Sequence, residues 1–333
     1  MAQGNSNIKH LFILNPKSFW HKWKQTQVLL KIYGYFTTSN NSNYDVHISR
    51  FPRDAVGFIP QYAKSLPDNT ILRVYAVGGD GILFDCLNGI IGIDNAELAV
   101  FPYGRTNNFI RGFGKNEKPF FRDVERLVNS PVVPMDVMRC GSNYALNYCV
   151  VGLEAEAVRY SEKIREKMNK SGSLNQWLSR QLYPTQFFMG GLAASFDKRL
   201  LYQQYEIEID GKKNSGYYWT ISVFNGAYYG GKWHPCDTAM PNDGVLDVLS
   251  TQGKRFLRIY SMFPRYVSGR YTSFSSNIIL TRGQKISVRS GEILKVCMDG
   301  CLFYEPELNI ELLPAEIRFV DASRYGYIGG SND

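Results

Sequence analysis

Histidine is scarce in this chain, with four residues in 333, and its six cysteines form no CxxC pair. Cys86, Cys140, Cys149, Cys236, Cys297 and Cys301 are too dispersed for a compact zinc or disulfide framework, so they are expected to be free thiols that mostly pack. Long apolar runs are missing too. The start, "MAQGNSNIKH", is polar and "LFIL" is too short for a signal peptide. Nothing approaches the roughly 18–20 apolar residues of a membrane span. These absences predict a soluble, cytoplasmic protein. No segment is low-complexity and no internal repeat is evident.

A formal net charge of +8 is present. It suits solubility, and it also draws anionic partners. Two segments concentrate it: "SEKIREKMNKSG" (161–172) and "GKRFLRIYSMFPRYVSGRY" (253–271). In the second, Lys254, Arg255, Arg258, Arg265 and Arg270 interleave with large apolar side chains. That pattern fits a membrane-surface helix or a partner groove. A solvated face with a buried opposite side explains it more simply.

The chain changes rhythm along its length. Up to about residue 130, short β-like runs ("HLFIL", "YDVHIS", "ILRVYAV", "LAVFP") alternate with helix-like segments at 20–36, 53–66 and 83–92. Such alternation predicts a parallel sheet covered on both faces. After about residue 137, nine short strands are separated by Gly, Asn, Asp or Pro, from "YALNYCVVG" to "KISVRS", "EILKVCMDG", "LNIELL" and "EIRFVD". Only 154–200 and 252–268 look helical there. That pattern predicts an antiparallel sandwich.

One short stretch carries chemistry. The apolar run Ile71–Val77 stops at Gly78-Gly79-Asp80-Gly81 and a helix-like segment follows. Glycines let backbone amides approach an anion, and a strand-to-helix loop aims N–H groups and the helix dipole at a phosphate. The carboxylate could hold magnesium or orient a hydroxyl. No Lys-Ser/Thr follows, so this is not a P-loop, and Phe84 stands where the last glycine of GxGxxG belongs. An ordinary tight turn is the plain alternative.

Six segments in register resemble the diacylglycerol kinase catalytic superfamily, in particular soluble bacterial lipid kinases related to sphingosine kinase. They are "LFILNPKS" (11–18), "VGGDGILFDCLNGI" (77–90), "FPYGRTNNFIRGFG" (101–114), "NYCVVGLEAEAV" (147–158), "NGAYYGGKWHPCDTAMPNDGVLDV" (225–248) and "MDGC" (298–301). The resemblance implies an α/β N-terminal nucleotide-binding domain plus a C-terminal antiparallel β-sandwich domain, with ATP in the cleft. The boundaries expected are 1–137, joined by 306–333, and 138–305.

It also implies a reaction, transfer of the ATP γ-phosphoryl group to a lipid hydroxyl with Mg2+. Asn15, Ser49, Gly78, Gly79, Asp80, Gly81, Asn88, Gly104, Arg105 and Asn107 would line the nucleotide. Asp243, with the carbonyls of Met240 and Val245, would hold magnesium. The general base would be Cys301, which stands where the family has the glutamate of Asp-Gly-Glu, or Asp299, or Asp80. Asp299 qualifies because positions two apart on an extended strand share a face. Ile82, Phe84-Asp85, Arg105 and Asn108 also depart from the family pattern. The expected partner is a lipid at an anionic membrane surface, diacylglycerol- or sphingoid-like, and no nucleic acid. The oligomeric state stays open, a dimer included. Two alternatives accompany this reading: a non-catalytic nucleotide or lipid binder, and an NAD kinase, whose layout "GRTNNF" and "NDGVLDV" fit less well.

Overall fold

The computed structural model of the chain describes residues 7–19, 22–170, 190–194, 196–197, 200, 203–231, 233–252, 256–271 and 276–330. It divides into two compact units, Met1–Val137 with Leu313–Asp333, and Met138–Leu312.

In the first unit four parallel strands stand in the order β4-β3-β1-β2: β1 (Ile8–Leu14), β2 (Tyr44–Ile48), β3 (Ile71–Gly78) and β4 (Ala96–Pro102). The last strand of the chain, β13 (Cys301–Val320), returns here, and its Arg318 and Phe319 pair in parallel with Glu97 and Leu98. β3 and β4 are buried almost throughout, as continuous apolar strands covered on both faces should be. The helices are α1 (Lys22–Thr38), α2 (Asp54–Lys64), α3 (Asp80–Ile90), α4 (Asn108–Arg111) and α5 (Val124–Asn129). Aromatic rings fill the core. Phe12 stacks on Tyr75 at 4.2 Å and Phe36 on Tyr44 at 4.3 Å. One buried ion pair ties three strands together: Glu97 on β4 accepts from Arg73 on β3 and Arg318 on β13, both at 2.6 Å.

The sheet order reverses between β1 and β3. In open parallel sheets ligands bind beyond the carboxyl ends of the strands at such a switch point. Asn15, Ser49, the Gly78–Gly81 stretch and Gly104 all follow the carboxyl ends of these four strands.

The second unit is antiparallel, in the order β11-β10-β9-β7-β12-β13, from β7 (Tyr148–Gly152), β9 (Lys212–Phe224), β10 (Leu246–Gln252), β11 (Ile278–Gly283), β12 (Lys285–Met298) and the first part of β13. Strand β8 (Gln204–Ile209) pairs with the amino-terminal halves of both β9 and β12, while β7 pairs with their carboxyl-terminal ends. Strand β5 (Val132–Cys140) pairs with β6 (Asn143–Ala145) and, like β13, has residues in each unit. Helices α6 (Leu153–Lys170) and α7 (Phe256–Tyr266) complete it.

Two expectations about these elements are corrected. "KISVRS" and "EILKVCMDG" are one strand, β12, and "LNIELL" and "EIRFVD" belong to one strand of twenty residues, β13. Gly291 and Pro314 read as breaks, yet at Gly291 the β12–β13 register shifts between Arg289 and Leu294, a bulge that keeps the strands paired, and Pro314 lies within β13 beyond its last pair with β12, Glu311 with Lys285. Of the predicted helix 154–200, residues 171–189 lie outside the described residues.

The five cysteines other than Cys301 are buried, and none of the six is in a disulfide. In α7, Met262 and Tyr266 enter the core while Arg265 is exposed and bonds to Ser261 O. The described part of this basic segment is thus a helix with one buried side. Lys254, Arg255 and the side chain of Arg258 lie outside the described residues. Among the described residues no helix is long and apolar enough to cross a membrane.

Candidate functional site

The turn at Gly78 is built by close backbone packing. Gly104 N donates to Gly78 O at 2.7 Å, and a Cβ added at Gly104 would lie 2.1 Å from the Gly79 Cα. Gly78, at φ +155, leaves no room either: a Cβ there would be 2.5 Å from Ser18 Oγ. The fold itself therefore requires Gly78 and Gly104. Gly81 differs. It is exposed, and a Cβ there would meet nothing within 4 Å. Nothing in the fold demands a glycine at 81, as would hold if the space above it belonged to a ligand.

Asp80 is not in a free turn, as its glycine neighbours suggest. It is the first residue of α3, and its carboxylate stitches the β4–α4 loop to that helix. Asp80 Oδ2 accepts from Thr106 Oγ1 at 2.6 Å and Oδ1 from Asn108 N at 2.7 Å. Burial raises the Asp80 carboxyl above its ordinary value, against the lowering effect of these hydrogen bonds. Asn107 is buried with a left-handed backbone, and its Nδ2 donates to Gly78 O at 2.9 Å. It therefore holds the loop rather than facing solvent.

The other predicted nucleotide residues divide. Asn15 caps a short 3-10 helix, Pro16–Ser18, by accepting from Lys17 N. Ser49 N bonds to Leu14 O, and its buried Oγ lacks a hydrogen-bond partner, a donor left for something else. Arg105 is exposed on the loop. Asn88 is two turns along α3 from Gly81, and its amide donates to its own helix at Phe84 O. Ile82, where the family has a hydroxyl, is buried in the core.

In the second unit the carboxylate expected to share a strand face with Cys301 does not. Asp299 and Gly300 are the two-residue loop between β12 and β13, since Met298 pairs with Cys301. Both φ values are positive, 46° and 89°, as a type I′ hairpin turn requires. Strand alternation stops at the turn, so the two-apart rule fails. The Asp299 side chain turns inward and accepts from Leu146 N at 2.8 Å, Asn147 N at 3.2 Å and Tyr148 N at 2.8 Å. That is a brace for the chain leading into β7, with its oxygens already engaged. Cys301 is half-buried at the start of β13.

Asp243 is exposed in the loop before β10 and accepts from Val245 N at 3.3 Å. Gly244 beside it has φ +76°. Among the described residues no group of three or more His, Cys, Asp or Glu is placed to hold a metal. One exposed carboxylate with backbone carbonyls is nevertheless a hard oxygen donor set of the kind Mg2+ accepts while keeping several waters. Sequence reasoning missed the nearby Asp247. It is buried, its Oδ1 accepts from Arg282 at 2.8 Å, and its Oδ2 has no partner. Also missed were Thr106 and Lys118. Thr106 lies inside a quoted motif, but nothing local marks Lys118.

Residues 9–140 match the diacylglycerol kinase catalytic domain, and residues 175–321 match the YegS C-terminal NAD kinase beta sandwich-like domain. The parallel α/β part of the chain is thus a diacylglycerol kinase catalytic domain, and a YegS-like β-sandwich domain follows it. The similarity is to bacterial proteins. A Staphylococcus aureus (strain JH9) protein named "Putative lipid kinase" is 26% identical over 312 residues, covering 91% of this chain and 95% of that one. The crystal structure of a diacylglycerol kinase from Bacillus anthracis str. Sterne has the same fold, with a TM-score of 0.66 at 19% identity over 96% of this chain and 98% of that one. A structure from the same organism described as "A putative diacylglycerol kinase" gives 0.69 at 20% identity over 94% of this chain and 96% of that one.

Proposed function

We propose that this lipid-kinase relative is an ATP- and Mg2+-dependent enzyme that phosphorylates a hydroxyl of a membrane lipid, diacylglycerol- or sphingoid-like, at an anionic membrane surface. One observation carries the nucleotide part. Asn15, Ser49, Gly78, Asp80, Gly81 and Gly104 gather beyond the strand carboxyl ends at the order switch, and the space above Gly81 is open without a structural reason. The anion suited to those amides is a phosphate chain.

In the reaction the lipid oxygen bonds to the γ-phosphorus, the bond to the β-phosphate oxygen breaks, ADP leaves, and the hydroxyl proton passes to a base. Asp243, with the Met240 and Val245 carbonyls, would hold the metal, which spreads the phosphate charge. Asp299 is spent on three backbone N–H groups, which leaves the half-buried Cys301 thiol and Asp80 as base candidates. A normal thiol ionises near pH 8.5, so a thiolate base predicts turnover that climbs between about pH 6 and 9 and is lost in Cys301→Ser.

The commitment of Asp299 favours a second reading, a nucleotide binder without transfer. ADP release measured with a panel of lipid alcohols separates the two. Release that depends on a lipid supports the kinase, whereas ATP binding with no release under any lipid supports the binder.

A further inference from the structure

Three cations of the first unit are left over from the site just described, and all three reach one loop. Arg111 ends α4, Lys118 lies in the segment after it, and Arg122 ends a 3-10 helix, Phe120–Arg122. Arg111 Nε donates to Thr106 O at 3.3 Å. Lys118 Nζ donates to Asn107 Oδ1 at 2.9 Å. Arg122 Nε donates to Pro102 O at 2.8 Å, and its guanidinium lies 4.8 Å from the Tyr103 ring centre. This loop carries Gly104, packed on Gly79, and Thr106 and Asn108, bonded to Asp80.

Among the described residues none of the three forms an ion pair with a carboxylate. Their acidic neighbours are committed elsewhere: Glu117 takes Arg324, and Asp123 caps α5. Half-buried charges of one sign around a single loop repel. Burial, and then Arg122 and Arg111, push the Lys118 ammonium down to about 8, while Asp80 pulls the other way. Among the described residues Asn107 is its one acceptor, which leaves two of its three N–H donors to be used.

We propose that Lys118 binds the phosphate chain of the nucleotide that the Gly78–Gly81 turn cradles, with Arg111 and Arg122 adding positive potential from behind the loop. The proposal rests on the reading of that turn as a nucleotide cradle. It assigns charge recognition to a residue outside every motif of the sequence. Asn107 then orients the ammonium as well as the loop, since its amide bonds to Gly78 on one side and to Lys118 on the other.

The test is calorimetric titration of the full chain with inorganic tripolyphosphate, ATP, ADP and adenosine. The variants are Lys118→Gln, whose amide keeps a donor for Asn107 without the charge, and Lys118→Arg. A charge-assisted contact predicts that Lys118→Gln weakens tripolyphosphate and ATP binding about tenfold or more, ADP less, and adenosine not at all. Lys118→Arg should restore most of the loss, and raising salt should weaken the wild type more than Lys118→Gln.

Equal losses for adenosine and ATP would overturn the proposal, because Lys118 would then act only through the loop. Unchanged affinities would overturn it, as would a wild type that fails to bind tripolyphosphate. If Lys118→Gln does not fold, a salt-independent affinity of the wild type for ATP has the same force. Lipid-dependent turnover is measured separately, so a chain that binds ATP through Lys118 and phosphorylates no lipid sinks the kinase reading alone.

Discussion

The dipeptide Asp-Gly occurs at Asp80-Gly81 in the first unit and at Asp210-Gly211, Asp243-Gly244 and Asp299-Gly300 in the second. In the second unit the chain turns back. Asp210 and Asp299 have φ of 47° and 46°, and their glycines 82° and 89°, so each pair closes a two-residue hairpin. In the first unit the same pair opens helix α3 with ordinary backbone angles, and its glycine faces open space. The two site carboxylates differ to match. Asp299 is filled by three backbone N–H groups of one segment, whereas Asp80 accepts from Thr106 and Asn108 and feels the charge of Lys118. Asp299 is thus a brace, and Asp80 is a brace to which the proposed function adds a part in the chemistry.

The largest break in this comparison should come from Asp299→Ala. It strands three backbone donors, each bonded to a charged group worth roughly 1.5–3 kcal/mol and not additive, so a loss of about 3–5 kcal/mol is expected in chemical denaturation. A denaturation midpoint equal to the wild type's would remove the brace. Asp299→Asn should recover part of the loss.

Asp80→Asn should separate the two roles from the other side. Burial already disfavours the charged Asp80, and an amide can still accept from Asn108 N, so stability should change by about 1 kcal/mol or less. Phosphoryl transfer should fall about a hundredfold or more if the charge at the cradle matters. The experiment pairs thermal melting with turnover. A stability loss as large as that of Asp299→Ala would make Asp80 a second brace.

Two glycine substitutions sharpen the contrast within the first unit. Gly104→Ala drives a methyl into Gly79 and should cost about 1–3 kcal/mol. Gly81→Ala lies in a helix and in open space, so it should be neutral or stabilising by up to about 1 kcal/mol while weakening ATP binding. If Gly81→Ala binds ATP as well as wild type, the space above it is not the ligand's.

The smallest effect concerns acid. His10, buried and within 2.7 Å of the Tyr75 hydroxyl, is pushed down to about 3, first by burial and then by Arg73 and Lys9. Its unfolded form takes a proton near pH 6.5 and its folded form does not. Its contribution to stability is therefore full above about pH 6.5 and is lost as pH falls toward 3. His10→Gln should flatten that part of the stability–pH curve. An unchanged slope between about pH 6.5 and 4 would assign acid sensitivity to other groups.

Much of the architecture was legible because its signals are local. Apolar runs of five to eight residues, helix-like spacing between them and the turn residues after residue 137 each reflect a few neighbours in sequence. The errors came where neighbours mislead. Gly291 looked like a strand end, but the paired strand β13 carries the chain across it, and Pro314 looked like another yet lies inside β13. Asp299 looked like a strand residue two from Cys301, but two positive φ angles reverse the chain there. Asn88 and Asn107 sit inside recognisable motifs, yet their amides serve the backbone at Phe84 and Gly78.

By itself, then, the sequence determined the α/β and β-sandwich classes, the glycine turn after β3, and the resemblance to a superfamily. All of these are written in periodicity and in short motifs, which survive without knowledge of distant contacts. Only the tertiary structure decided that Gly104 is glycine for Gly79, that Gly81 is glycine for no described residue, that Asp299 is a brace, and that Lys118 stands over Asn107. Each of those facts depends on atoms brought within hydrogen-bond or van der Waals distance by the fold, from 11 to 153 residues apart. No local pattern encodes which of many possible partners a side chain will meet.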